Sequence, residues 1–506
     1  MNFRPLLYIA VGFGLGIFAF EVYRSLALPR SSFFGALILA VLAVYVILSN
    51  FFKGRSMART LFVAAFMIAL VRMGLAIPND ISTGDYVLRG VVSEVSESNP
   101  RTVVLTNATL NETKLKYKVR LNIAEPDKTS DGDNETPLPE VGDRLETICY
   151  VKKDFVGYDI ESLSMLSSGI GLKTRCTKYT VVSQNNLWLN QWAAMMRGAL
   201  KNRISLLFKE NSAMVSAFLL GDRSGLDYGE LESFRKTGTA HLLSLSGFHV
   251  GVLTSCLFLI LPRRKPWLRL LFTGGFLMLF CMITGFSPSL VRASVMCLCV
   301  LLADVIGERR DSLSSLSLAA IIILAVSPYS LWSAGFRLSF AATIGIVLFV
   351  EGGLFDTRSV LANRAMEGCL VTVAATAATL LLSARYFGYV DTYTIPANII
   401  AVPIYSIAIT LCFAVLVIGV PLPFIAGFLA FIPDKLLSGV NLALSWLADL
   451  PYARLPVKQP LDICGFLMII VMFIISPYIL RPIRNRMLIA TPVMLMFMAS
   501  VFLSFI

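Results

Sequence analysis

The chain has 506 residues, of which 56% are hydrophobic and only 15% charged, with a formal net charge of +12. Several apolar runs reach the roughly 18–20 residues that a helix needs to cross a bilayer, which excludes a soluble globular protein. We therefore predict a polytopic α-helical membrane protein with about 12–13 spans.

Three spans are predicted in the first domain, residues 1–79, near 6–22, 33–51 and 60–77. The loop between the second and third spans is basic, and short cytoplasmic loops are rich in Lys and Arg. We therefore expect the N-terminus in the cytoplasm and residues 80–185 outside it. Three later basic loops agree with this topology: Arg263–Lys265, Arg309–Arg310 and Arg481–Arg486.

Residues 80–185 change to the period of two that is typical of strands. About five strands in about 100 residues favour a small β-barrel inserted into the helical chain, similar to an OB-fold. The predicted strands are 86–95, 102–105, 114–123, 144–151 and 175–182.

The predicted strand 114–123 alternates between basic and apolar residues, and its basic side chains are Lys114, Lys116, Lys118 and Arg120. A basic strand face can follow a phosphate backbone and so bind DNA. The alternative is an outer face that contacts only solvent. The same domain contains Cys149 and Cys176, for which an external location predicts a disulfide.

Residues 186–210 combine tryptophans with basic residues and predict an amphipathic helix at the membrane interface. The remaining domain, 211–506, is predicted to be a helical membrane domain. Its expected spans are 240–262, 267–285, 289–306, 313–328, 336–351, 367–388, 394–419, 422–450, 463–480 and 487–506.

Both histidines of the chain, His241 and His249, lie in a polar, glycine-containing stretch that precedes an apolar run. Such half-helices are found in transporters, where free N-terminal amides face a cavity. Other polar or glycine residues of this stretch that could line a cavity are Asp222, Arg223, Ser244, Ser246 and Gly247.

Three alternatives apply to the histidines. Both could be hydrogen-bonded packing residues at a helix crossing. They could bind a metal with Asp222, but a separation of eight residues is not a common ligand spacing. Ser244 or Ser246 could also act with His249 as a hydrolase, although no G-x-S-x-G elbow is present. We expect no metal, no cofactor and no catalytic residues.

Charged residues inside predicted spans are costly and often face a partner or a cavity. Arg292 and Arg337 are the main candidates, and contact with lipid headgroups is their alternative. Asn398 and Pro403 suggest a second broken helix. Arginines beside free helix ends are suited to binding a phosphate.

The chain resembles the ComEC competence family of DNA-uptake membrane proteins through a series of motifs in a fixed order. These are Gly221-Asp222-Arg223, Thr237-Gly238, His241-Leu-Leu-Ser-Leu-Ser-Gly-Phe-His249, Pro288-Ser289 with Arg292-Ala293, Gly307 with Asp311, Gly335-Phe336 with Leu338-Ser339-Phe340, and Asn398 with Pro403. Arg337 stands where a Gln is usual in the family.

The resemblance implies a channel that passes one strand of DNA across the cytoplasmic membrane during natural transformation. The implied translocation residues are Asp222, Arg223, His241, Ser244, Ser246, Gly247, His249, Arg292, Arg337, Ser339 and Asn398. The implied partners are DNA, the bilayer, and a separate DNA receptor, nuclease and cytoplasmic ATPase or helicase; a homodimer is also compatible. Many members continue into a metallo-β-lactamase-like domain. Since this sequence has only two histidines, we expect a short member without that domain.

Overall fold

The computed structural model describes residues 4–25, 56–76, 81–95, 101–124, 139, 142–151, 160–176, 179–184, 188–262, 264–308, 310–349, 360–419 and 421–457. These residues belong to two compact units. The barrel unit comprises Pro5–Met196 and Ala320–Ser333, and the helical unit comprises Met1–Arg4, Arg197–Ala319 and Ala334–Ile506.

The barrel unit begins with two apolar helices, α1 (Pro5–Ser25) and α2 (Ser56–Ala76). They pack with their backbones in close contact, because Gly12 and Gly16 of α1 lie against the carbonyls of Phe62 and Phe66 of α2. Small residues allow this approach of two membrane helices. The two helices contain most of the predicted spans 6–22 and 60–77 and begin before them. The predicted span 33–51 lies outside the described residues.

The β-sheet of this unit has seven strands. They are β1 (Gly84–Val95), β2 (Thr102–Leu110), β3 (Thr113–Lys114), β4 (Lys118–Ile123), β5 (Asp143–Val151), β6 (Ile170–Cys176) and β7 (Tyr179–Gln184). A short helix that the sequence did not predict, α3 (Ile160–Ser167), precedes β6.

Five of the strands form a closed barrel in the order β1-β2-β4-β6-β5, which β5 closes by pairing with β1. All pairs in this circuit are antiparallel except β4 with β6, which are parallel. Inward side chains such as Leu88, Val119 and Leu145 are fully buried. The prediction of a small barrel is therefore confirmed, and its closer assignment to the OB-fold remains a prediction.

Two strand predictions were wrong. The predicted strand 114–123 is broken, because Lys114 pairs back to β2 in a hairpin and β4 begins only at Lys118. The hairpin turn has positive φ at Asn111 and Glu112 (44° and 71°). Because such turns usually contain glycine and this one does not, the sequence did not predict it. The predicted strand 175–182 is two strands, β6 and β7, whose registers on β5 differ by one residue.

The helix α4 (Trp188–Leu207) follows the barrel, and its second half belongs to the helical unit. The sequence predicted a helix at this position, which is confirmed. The following helices are α5 (Ser212–Leu220), α6 (Tyr228–Lys236), α7 (Gly247–Ile260), α8 (Pro266–Thr284), α9 (Pro288–Ile306), α10 (Ser312–Val326), α11 (Ala334–Phe349), α12 (Val360–Phe387), α13 (Thr394–Gly419), α14 (Pro423–Leu429) and α15 (Phe431–Ala448). The second half of α10, from Ala320 onwards, belongs to the barrel unit. Two 3₁₀ turns, Ala240–Leu243 and Pro328–Trp332, and a two-stranded antiparallel sheet of β8 (Tyr389–Asp391) and β9 (Arg454–Pro456) complete the described chain.

Within the described residues, five stretches are long and apolar enough to cross a membrane: Pro266–Thr284, Ser289–Ile306, Gly368–Phe387, Thr394–Gly419 and Pro423–Ala448. Shorter apolar helices include α7, which begins at Gly247 rather than at the predicted residue 240. The protein is thus a membrane protein. The predicted spans 463–480 and 487–506 lie outside the described residues.

The prediction of a second broken helix at Pro403 was wrong, because α13 continues through this residue as one helix. A proline inside a helix removes one backbone hydrogen bond but can be tolerated in a membrane bundle. The helix is held by extensive burial. Tyr405 is fully buried and donates a hydrogen bond to Oδ1 of Asn441 on α15 at 2.8 Å.

Candidate functional site

The loop that follows α5 is fixed by Gly221 and Asp222. Gly221 adopts a left-handed conformation (φ 72°) that ends the helix, and its N–H donates to the carbonyl of Ala217 at 3.1 Å. The carboxylate of Asp222 accepts hydrogen bonds from Nζ of Lys201 at 2.6 Å and from Oγ of Ser224 at 2.7 Å. Burial alone would raise the pKa of Asp222, but these bonds lower it to about 2. Asp222 is therefore an ionised anchor for the loop.

Arg223 connects this loop to the 3₁₀ turn that precedes α7. Its Nε donates to the carbonyl of Leu243, the last residue of the turn, at 3.0 Å. A cation at the carbonyl end of a helical turn satisfies an acceptor that has no partner within the turn. Arg223 thus positions the chain that leads into α7.

The polar residues of the 3₁₀ turn bond mainly to their own backbone. Nδ1 of His241 lies 3.1 Å from the carbonyl of Gly238, and Oγ of Ser244 donates to the carbonyl of His241 at 2.8 Å. Gly238 has φ +67°, and Thr394 at the start of α13 packs against its α-carbon. The side chain of His241 is exposed. These residues shape the turn and bring it to α13.

The start of α7 is capped by Ser246 and His249. The N–H of Ser246 donates to Nδ1 of His249 at 3.3 Å, and Oγ of Ser246 lies at the same distance from that nitrogen. This arrangement is a capping box with histidine at the position that is normally Glu or Gln. Because Nδ1 accepts, the neutral imidazole carries its proton on Nε2.

The Nε2 atom of His249 is the unusual part of the cap. The residue is fully buried, between the rings of Phe218 and Phe248, and Nε2 has no hydrogen-bond partner among the described residues. A buried donor without a partner is costly and is often found at a functional site. His249 therefore presents an unsatisfied donor close to the N-terminus of α7.

Arg292 on α9 brings a positive charge to the same helix end. Its Nη2 lies 3.2 Å from the position that a β-carbon would occupy on Gly247. Nη1 donates to Oγ1 of Thr343 on α11, and the guanidinium lies over the ring of Phe340, 5.9 Å from its centre. Arg292 is 7% exposed, and its Nε has no hydrogen-bond partner in the described part of the chain.

The helix end, Arg292 and His249 together form the candidate site. The first amides of a helix carry partial positive charge and free N–H groups. The structure adds a guanidinium and an imidazole N–H, both buried and both with a free donor. Such a set of donors is suited to an anion, and a phosphate oxygen in particular.

The remaining candidates lie on neighbouring helices. Ser339 accepts, through its carbonyl, the hydroxyl of Thr343 at 2.9 Å and so supports the residue that holds Arg292. Arg337 is partly buried on the same helix. Asn398 is buried on α13, one turn after Thr394, and its Oδ1 has no partner among the described residues. The structure thus brings Ser339 to Arg292 through Thr343.

A cleft of about 470 Å³ lies between α7 and α13, beside the candidate site. Small or polar side chains line part of the cleft, namely Gly251, Ser255, Cys256, Ser406 and Thr410, and apolar ones line the rest, namely Phe248, Val252 and Leu259. Since apolar surface makes up most of its lining, the cleft by itself does not indicate a polar occupant.

The geometry bears on the two enzymatic alternatives. Among the described residues, no three side chains of the metal-ligand types come together, so Asp222, His241 and His249 do not form a metal site there. Ser246 and His249 are adjacent, but as partners in a helix cap. A hydrolase base would also need a third group to orient its second nitrogen, and Nε2 has none in this region.

In the barrel unit, the four basic candidates do not share one continuous strand. Lys114 lies in the β2–β3 hairpin and Lys116 in the segment after it, whereas Lys118 and Arg120 lie on β4. Their role in DNA binding remains a prediction.

Cys149 and Cys176 are both free and buried in the barrel core, where burial raises the pKa of each thiol. Tyr150 pairs with Arg175, so the two cysteines, one residue further along antiparallel strands, stand opposite each other. Their disulfide remains a prediction.

The sequence alone did not identify Thr343, Phe340 as a partner of Arg292, or Lys201 as the partner of Asp222. Phe340 and Thr343 are three residues apart and so share a helix face. This spacing groups the two residues but does not show that Arg292 is their partner. The contact between Arg292 and Thr343 joins residues 51 positions apart, which a local pattern cannot reveal.

Residues 218–482 match the competence protein family. The chain belongs to this family. It is 30% identical to ComE operon protein 3 of Bacillus subtilis over 270 residues, which are 52% of this chain and 34% of that protein. It is 25% identical to Competence protein ComA of Neisseria gonorrhoeae over 258 residues, which cover 47% of this chain and 34% of the relative.

A further relative is Recombination protein 2 of Haemophilus influenzae, 25% identical over 158 residues, 29% of this chain and 20% of that protein. The chain thus matches about a third or less of the length of these three relatives. No solved structure matches it significantly. The α7 cap, Arg292 and Asn398 all lie within the part of the chain that matches the competence family.

Proposed function

We propose that this protein forms a channel in the cytoplasmic membrane through which single-stranded DNA enters the cell during natural transformation. The observation that carries the proposal is the group of buried, unsatisfied donors at the start of α7, on His249 and Arg292. Membership of the competence family supports the same conclusion.

In this proposal, each backbone phosphate that passes the start of α7 accepts hydrogen bonds from Arg292, His249 and the first amides of the helix. Charge-assisted hydrogen bonds of this kind are about twice as strong as neutral ones. Conduction also requires that each phosphate can leave again. A neutral imidazole and a single arginine, rather than a cluster of cations, provide such limited attraction.

The basic loops of the sequence supply the topology in this proposal. The N-terminus lies in the cytoplasm, and residues 80–185 lie outside and receive DNA. The protein itself is not an enzyme. A separate receptor delivers the DNA, a separate nuclease degrades the other strand, a cytoplasmic ATPase or helicase takes up the entering strand, and a homodimer is compatible with the channel.

The test is uptake of labelled DNA by a deletion strain that carries wild type, Arg292→Gln, His249→Ala or the control Arg310→Gln. Arg310 forms an ion pair with Asp304 at 2.8 Å and is 63% exposed, so its loss should not alter the site. We expect uptake to be restored by wild type and the control, and to fall at least about tenfold in the two site variants, which corresponds to one lost charge-assisted hydrogen bond.

Protein levels in the membrane are measured in parallel, so that loss of folding is separated from loss of transport. Normal DNA uptake in the deletion strain would contradict the proposal and point to a transporter of another anionic substrate. Normal uptake by both site variants would be compatible with a channel but would contradict the assignment of the site to Arg292 and His249.

A further inference from the structure

The outer surface of the barrel brings two of the predicted basic residues, Lys118 and Arg120, beside cations of β6 that are distant in the sequence. Buried neighbours on β4 and β6 fix which side chains point outward: Val119, Leu121 and Leu172 fill the core, so the alternate residues face solvent. We call the outward side chains of these strands and of the end of β5 the β4–β6 face. They are Lys118, Arg120, Lys173, Arg175 and Tyr150.

The strand register brings these cations together. In the parallel pair of β4 and β6, Arg120 is opposite Lys173, and Asn122 is opposite Arg175. Neighbouring strands are about 5 Å apart and alternate residues on one strand about 7 Å apart. The four cations therefore lie within a small area, although Lys173 and Arg175 are more than 50 residues from Arg120 in the sequence.

The face also carries an exposed aromatic ring. Tyr150 on β5 is paired with Arg175 and is 57% exposed. A tyrosine this exposed contributes little to the core, so its ring is available for another flat surface. Among the described residues, Asp85 on β1 is the carboxylate opposite Tyr150.

One of the cations has an unsatisfied donor. Nε of Arg120 is buried and has no hydrogen-bond partner among the described residues. Oδ1 of Asn122 is likewise buried and without a partner among them. Both residues are on β4, which pairs with β2 on one side and with β6 on the other. A bound polyanion would give the arginine an acceptor.

We propose that the β4–β6 face binds a short segment of single-stranded nucleic acid, with Arg120, Lys173 and Arg175 on successive phosphates and a base stacked on Tyr150. Basic grooves with an aromatic platform are the usual way to bind single strands without sequence preference. The proposal deepens the proposed function, because it names the surface that receives the substrate. It also excludes the β2–β3 hairpin lysine, Lys114, from this surface.

The experiment measures binding of a fluorescent oligothymidylate to the purified full-length protein in detergent, as a function of salt. Arg175→Gln is compared with Arg144→Gln, which makes the same change at an exposed position of β5, six residues along the strand from Tyr150. We expect Arg175→Gln to weaken binding about fivefold at 0.1 M salt and to lower the slope of log K against log salt by about 0.7. Arg144→Gln should change binding by less than about twofold.

Tyr150→Leu separates stacking from charge. It should weaken oligothymidylate binding about tenfold, as expected for one stacked base. Binding of inorganic polyphosphate, which has no bases, should stay as in wild type. Equal effects of Arg175→Gln and Arg144→Gln would overturn the assignment of the face, and an equal loss of both ligands in Tyr150→Leu would overturn the stacking.

These outcomes are independent of transport. If the variants lose binding while the deletion strain takes up DNA normally, the face is correct and the proposed channel is wrong. If uptake requires the protein but Arg175→Gln binds oligothymidylate like wild type, the channel stands and the face is wrong.

Discussion

The guanidinium of Arg292 lies against Gly247, with Nη2 3.2 Å from the place where a β-carbon of that residue would stand. The absence of a side chain at the first residue of α7 is what lets the arginine approach the helix end. The backbone conformation of Gly247 is helical, so the requirement is for space and not for an unusual φ.

Substitution of Gly247 should therefore reduce DNA uptake through Arg292. Gly247→Ala requires the guanidinium to move by a few tenths of an ångström, whereas Gly247→Leu displaces it fully and should lower uptake at least about tenfold. The control is Gly275→Leu, because no atom lies within 4 Å of a β-carbon at Gly275 on α8. Equal uptake by the two leucine variants would contradict the role of this contact.

Gly238→Ala should destabilise the protein for two separable reasons. A left-handed φ costs a residue with a β-carbon about 1–2 kcal/mol, and at φ +67° the new methyl would also contact Thr394. Gly307→Ala has the first cost alone, since Gly307 has φ +72° and open space around it. Thermal unfolding in detergent should show a larger loss for Gly238→Ala, by about 1–3 kcal/mol for the overpacking. Equal losses would mean that the structure adjusts around Thr394.

Stability should depend on pH through Asp222. Its pKa is about 2 in the folded state against 3.8 as the ordinary value, so the carboxylate stabilises the fold above about pH 4 and this contribution is lost as the pH falls towards 2. The contribution is about 1 kcal/mol, because Lys201 is 50% exposed and solvent screens the pair. Asp222→Asn should lower the melting temperature at pH 7 and flatten its decline between pH 4 and 2.

Glu210→Gln provides the matched control for Asp222. Glu210 and Lys435 form an ion pair of 2.8 Å, but their side chains are 58% and 49% exposed. Removing this pair should leave the melting temperature nearly unchanged at every pH. If both variants behave alike, burial of Asp222 is not what makes its pair effective.

The contact between α1 and α2 predicts that substitutions of the glycines of α1 differ in their effect on stability. A β-carbon on Gly12 would stand 2.5 Å from the carbonyl oxygen of Phe62, and one on Gly16 would stand 2.6 Å from that of Phe66. Gly12→Leu and Gly16→Leu should each separate the helices and reduce stability by about 1–3 kcal/mol. Gly14→Leu should have little effect, because nothing lies within 4 Å of that position. The measurement is thermal unfolding of the three purified variants.

The sequence predicted well those strands that have one buried and one exposed face. The strand β5 alternates almost perfectly between buried and exposed residues, and it was predicted within one residue. The strand 114–123 also alternates in burial, yet it is broken, because alternation reports which face is buried and not which strand is the partner.

The candidate site was predictable in composition but not in arrangement. The sequence indicated that His249 and Arg292 matter, because polar residues in apolar surroundings are rare. It did not indicate that His249 caps its own helix, since Glu or Gln is the usual residue at that position. Nor could it reveal which distant hydroxyl holds Arg292, because that depends on how α9 and α11 pack.

The strand register also determines how the barrel could be removed from the chain. The chain enters the sheet at Gly84 of β1 and leaves it at Gln184 of β7. These two residues lie at opposite ends of β5, because Gly84 pairs with Val151 and Gln184 pairs with Asp143. The eight residue steps from Asp143 to Val151 span about 27 Å. A short loop of two or three residues could not bridge that gap. A barrel-deleted variant would need a flexible replacement of about 20–25 residues, the length whose average end-to-end distance matches the gap.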